Sequence, residues 1–154
     1  MSTQEVKECL NNLVATQGLF YTKLHQAHWY IRGHHFFDLH VKLEDYYDEI
    51  TEHMDDTAER LLQLGGEPYS TLQEFIDHSA IEESLDNKYI PEEPFVKAVI
   101  KDFEKLRDEL AKGIDLVDEN NDDVTVDMLI EQKTYIDKVI WMLWAYSGKN
   151  ALGE

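Results

Sequence analysis

The chain has one cysteine, Cys9, three prolines and seven glycines in 154 residues. A single thiol excludes an internal disulfide and fits a reducing compartment. So little glycine and proline, with eight Tyr, six Phe and three Trp, points to a globular, helical chain and against disorder. No apolar run approaches the roughly eighteen residues that span a bilayer. Residues 1–8 have neither the basic start nor the apolar stretch of a secretion signal, so a cytoplasmic location is expected. Positive charge is also scarce: 14 Lys and Arg stand against 32 Asp and Glu, a formal net charge of −18. The basic residues do not cluster, and such a surface repels nucleic-acid phosphates. One domain, residues 1–154, is expected, long enough for a proper core.

What the chain does have is helical periodicity. Apolar residues three and four apart predict helices over about 4–31, 35–64, 92–118 and 124–148. The second includes Leu61 and Leu62 and stops at Gly65-Gly66-Glu67-Pro68; the fourth includes Leu129 and Ile130 and ends at Gly148. Between the second and third lie about 25 residues in which Ser70 or Thr71 can cap a short helix, with Glu74 in its first turn. A long link at that place suits an up-down-down-up bundle with one crossover. The expected fold is all-α, a ferritin-like four-helix bundle with a short helix in the crossover.

Bundles of this connectivity often hold metal between Glu-x-x-His pairs on facing helices. The residues three before the seven histidines are Thr22, His25, Ile31, Arg32, Phe37, Ile50 and Phe75, so that motif is absent. A different set of ligand types stands out: His28, His40, Glu44, Asp55 and Glu59. His40/Glu44 and Asp55/Glu59 are each four apart, on one stripe of a helix. Glu44 and Asp55 are eleven residues apart, which keeps the angle but moves roughly 16 Å along the axis, while metal–ligand bonds are only about 2 Å long. An antiparallel second copy across a two-fold axis would bring one chain's His40/Glu44 end against the other's Asp55/Glu59 end. His28 and His40 flank Gly33 at similar distances, so a helical hairpin sets their imidazoles at similar heights. Two imidazoles and a carboxylate from one subunit, with two carboxylates from its partner, make a mixed N/O site. It suits ferrous iron and also accepts zinc, cobalt or manganese.

These residues carry a resemblance. His28-Trp29-Tyr30-Ile31-Arg32-Gly33, Phe36-Phe37-Asp38-Leu39-His40, and Met54-Asp55-Asp56-Thr57-Ala58-Glu59-Arg60-Leu61 followed by Gly65-Gly66 resemble the Dps family of mini-ferritins. The similarity extends to residues 122–127 and to Ile140-Trp141-Met142. The family forms dodecameric shells that oxidise ferrous iron at subunit interfaces, preferably with hydrogen peroxide, and store ferric mineral. The resemblance implies that His28, His40, Glu44, Asp55 and Glu59 are ferroxidase ligands, although the family usually has Asp where this chain has Glu44. Trp29 and Trp141 are expected to pack in the core; the resemblance adds a role in taking up oxidising equivalents. It also turns Asp45, Asp48, Glu49 and Glu52 toward the shell's cavity, where they would nucleate mineral, and sets Asp118, Asp123 and Asp127 at three-fold pores. The alternative function is the DNA coating for which the family was named. That needs a mobile basic tail or basic patch, and this chain, with only Lys7 near its start, is not expected to bind DNA directly.

Overall fold

Each helix boundary has a local chemical cause. In the computed structural model, which describes residues 3–154, Thr3 accepts the Val6 amide proton at 3.3 Å and opens α1, Gln4–Tyr30. Met1 and Ser2, the first residues of the stretch expected to lack a secretion signal, lie outside the described residues. A short turn leads to α2, Phe36–Gln63. Gly33 makes that turn at φ +140°, and a Cβ there would sit 3.0 Å from Oε1 of Glu92. The same carboxylate accepts the His35 amide at 3.2 Å and faces His35 Nδ1 at 3.1 Å, which joins the turn to the start of α4.

Thr71 caps the short helix α3, Leu72–His78, in a full capping box with Glu74. A single 3-10 turn, Leu85–Asn87, which the periodicity did not reveal, follows where Ser84 accepts the Asp86 amide at 3.0 Å. Helix α4, Glu92–Glu119, begins at Pro91, and α5, Asp123–Tyr146, at Asp122. No strand occurs among the described residues. The four long helices match the expected ones to within two residues at each end. Leu62 and Ile130, counted in the apolar stripes, instead point to solvent.

Contacts between elements give the topology. Lys23 pairs with Asp102 at 2.8 Å and Phe20 packs edge-on to Phe103 at 4.8 Å, while Cys9 lies by Gly113, so α1 and α4 are antiparallel. Glu92 meets the start of α2, so α2 and α4 run the same way. The result is up-down-down-up. The crossover climbs α1 by side chains that take its backbone groups in order. Asn11 holds Glu67 and Tyr69, Thr16 accepts the Ala80 amide, Lys23 reaches the Glu82 carbonyl and Gln26 that of Ser84. Gly18 admits the Phe75 ring, which a Cβ would meet at 2.6 Å. The core centres on Phe20, Phe103 and Tyr46, whose rings meet edge to face, with Ile50, Leu106 and Ile136 wholly buried around them.

Candidate metal centre

The α1–α2 hairpin brings His28 and His40 into face-to-face contact, ring centroids 3.6 Å apart and 13° from parallel. Each ring is held by the other's backbone. His28 Nδ1 donates to the His40 carbonyl at 2.6 Å, and His40 Nδ1 donates to the His28 carbonyl at 2.8 Å. A carbonyl only accepts, so both Nδ1 atoms carry a proton, and the neutral form of each ring then has its lone pair at Nε2. Metal-binding imidazoles are oriented in this way, with the second nitrogen anchored. His28 is 8% exposed and His40 half-buried.

Glu44 stands one turn after His40, exposed, and its Oε1 accepts the Tyr47 hydroxyl proton at 3.1 Å. Tyr47 stacks on His25 at 3.7 Å and meets the edge of His28 at 5.5 Å. Desolvation first, then the Glu44 hydrogen bond, raises the Tyr47 hydroxyl above the usual phenol value, so it stays protonated and donates. The motif reading did not include Tyr47 or His25. The i,i+3 spacing from Glu44 to Tyr47 was the available signal.

Asp55 and Glu59 are exposed three turns further along α2, on the same stripe. Among the described residues, no three His, Cys, Asp or Glu side chains of one chain converge to hold a metal ion. In the bundle interior, neutral side chains meet instead. Gln17 donates to Gln132 at 2.9 Å, Gln132 to Thr57 at 3.0 Å, and Thr57 to the His53 carbonyl at 2.7 Å.

Trp29 and Trp141 do not pack in the core as expected: they are 68% and 52% exposed. Trp29 lies by His25 at 5.4 Å, at the rim of the histidine cluster. Trp141 is on α5, followed by Met142, which is also exposed.

The acidic stripe of α2 lines an open groove against α5. Asp45, Asp48, Glu49 and Glu52 are joined there by Asp56 and by Glu131, which spacing along α2 could not reveal because α5 supplies it. Buried His53 sits at its floor, Nε2 3.2 Å from Glu49. Burial lowers its pKa and outweighs the opposing pull of Glu49, Asp56 and Glu131. Asp118 at the end of α4 and Asp123 and Asp127 at the start of α5 are all exposed around one loop. Arg60 fixes the α5 end of that loop: its Nε donates to Thr125 Oγ1 at 2.9 Å and its terminal nitrogen to Asp122 at 3.0 Å.

Comparison with known proteins follows the same lines. A family profile described as a ferritin-like domain matches residues 7–151. The chain is similar to the DNA protection during starvation protein of Listeria innocua, with 47% identity over 152 residues, 99% of this chain and 97% of that one. In three dimensions it is similar to Dps from Listeria monocytogenes, with TM-score 0.93, 48% identity and 96% of each chain covered. Similarity to Dps from Listeria innocua soaked with cobalt has a TM-score of 0.94 at 47% identity, covering 98% of this chain and 97% of that one.

Proposed function

The chain belongs to the Dps group of the ferritin-like family, and on that premise we propose that it oxidises ferrous iron at sites shared between subunits and stores the ferric product. One observation carries this reading: the carbonyl exchange between His28 and His40, which ties up Nδ1 of two stacked rings and leaves Nε2 of each for a metal. Glu44 adds a carboxylate from the same chain, and Asp55 and Glu59 of a second copy complete the set. Imidazole and carboxylate donors suit ferrous iron, and they accept zinc and cobalt too. Dps from Listeria innocua has been soaked with both of these metals.

In this reading iron is the substrate and hydrogen peroxide the oxidant. Peroxide takes one electron from each of two ferrous ions and leaves as two waters, with two protons supplied by solvent. A two-electron step of this kind releases no hydroxyl radical. The carboxylates favour the harder ferric product. Asp45, Asp48, Glu49 and Glu52 then gather ferric ions for mineral growth inside a shell of twelve subunits in the cytoplasm. Exposed Phe37, Val41, Trp141 and Met142 give such a shell apolar contact surface. Trp29, beside the histidine cluster, takes up stray oxidising equivalents, and Trp141 serves the same role from α5.

Substituting His28→Ala together with His40→Ala tests the site. The shell should still assemble, while peroxide-dependent iron oxidation, followed by ferric absorbance, falls by at least about 100-fold. Unchanged rates in an assembled double variant would refute the site.

A further inference from the structure

Glu44 carries one methylene more than the aspartate this position usually has in the family. Its side chain is exposed and has an extra torsion to fix before it can ligate. The structure holds that longer arm by Tyr47, one turn on along the same helix, whose hydroxyl donates to Oε1 at 3.1 Å. Tyr47 is itself fixed. Its ring stacks on His25 at 3.7 Å and 22°, and the edges of Tyr21 and His28 close on it at 6.0 and 5.5 Å. His25 is anchored in turn by Nδ1 donating to the Tyr21 carbonyl at 2.8 Å. A continuous set of contacts therefore runs from the Glu44 carboxylate to α1, the helix that also carries His28.

We propose that Tyr47 is a positioning residue for the shared metal site: its hydroxyl holds Oε1 of Glu44 and leaves Oε2 for the cation. A carboxylate has room for both, since its two oxygens offer about four lone-pair directions. The hydroxyl meets Oε1 alone, so it orients Glu44 without occupying the oxygen left for the cation. The same contact explains how a longer carboxylate can serve here, because the extra reach is folded back toward Tyr47 rather than left to sample solvent. The assignment rests on the shared-site reading above.

Cobalt(II) alone, titrated into the assembled shell and read by its visible absorption, provides the test. The proteins compared are wild type, Tyr47→Phe, Glu44→Asp and the Tyr47→Phe/Glu44→Asp double variant. Phenylalanine keeps the stacking on His25 and removes only the hydroxyl. Tyr47→Phe should weaken cobalt binding about tenfold beside Glu44. In the Glu44→Asp background, where the shorter carboxylate no longer meets the hydroxyl, the same change should alter binding less than about twofold. Wild-type affinity in Tyr47→Phe, or an equal loss in both backgrounds, overturns the proposal; equal loss would mean that the ring acts only by packing. The His28→Ala/His40→Ala shell separates the two readings. If it binds cobalt as wild type does, the shared site and the role of Tyr47 fall together. If it loses cobalt while Tyr47→Phe does not, only the role of Tyr47 falls.

Discussion

Glu109 of α4 lies beside Cys9 of α1 with one carboxylate oxygen, Oε2, buried and without a partner among the described residues. Burial pushes its carboxyl up from 4.5 to about 7. The folded protein therefore keeps a proton that the unfolded chain releases above about 4.5. The contribution of Glu109 to stability therefore falls as pH rises from about 4.5 to about 7, and is level on either side of that window. Glutamine has the same shape without the charge. Glu109→Gln should match wild type near pH 4 and be more stable by about 1–3 kcal/mol at pH 8. Thermal unfolding of the assembled protein at both pH values, at one protein concentration, measures this. An equal stability difference at both pH values would contradict it.

The helix ends carry a separate class of effects, and the start of α5 is the clearest. Asp122 accepts the Thr125 amide at 3.1 Å and the Thr125 hydroxyl as well, and Arg60 reaches over from α2 to the same carboxylate. Asp122→Ala removes the cap and leaves the half-buried guanidinium with one partner fewer. It should cost about 2 kcal/mol and lower Tm by about 4–8 °C. Asp122→Asn keeps a capping oxygen and should lose about half as much. Calorimetry that finds both variants at the wild-type Tm would show that neither contact matters. Most element ends were legible because their signals are local. Thr71 with Glu74, Gly65-Gly66 after α2 and Gly148 after α5 are each read within four residues. The outward turn of Leu62 and Ile130 was not legible, since which neighbour covers a stripe depends on helices distant in sequence.

At the scale of the whole molecule, charge dominates. With −18 per chain and Asp118, Asp123 and Asp127 exposed around one loop, an assembled shell would focus a negative field wherever three such loops meet. Changing all three to Asn should slow iron uptake several-fold at about 10 mM salt, and the gap should close by about 0.5 M as the field is screened. The wild-type shell, with chelator present, should not retard duplex DNA in a gel at neutral pH, because no basic element is there to displace counterions. Salt-sensitive retardation by wild type, with uptake unchanged in the triple variant, would favour DNA coating instead.

The helical periods, the caps and the spacing of His28 and His40 about Gly33 could be read from the chain alone, because each depends on residues within a few turns of one another. The absence of Glu-x-x-His was equally plain, and it leaves the bundle interior without the usual paired ligands. Tertiary structure decided what needs distant segments to meet. The reciprocal Nδ1–carbonyl bonds of His28 and His40 require the hairpin to close at one height. The grip of Tyr47 on Glu44 depends on His25 filling the space behind its ring. Glu131 joins the acidic groove only because α5 packs beside α2. Trp29 and Trp141 lie outside the core because their positions fall off the stripes that bury Leu24, Ala27, Val139 and Ile140. Spacing along one helix tells which side chains share a face, but what that face meets is decided by the packing of the other helices.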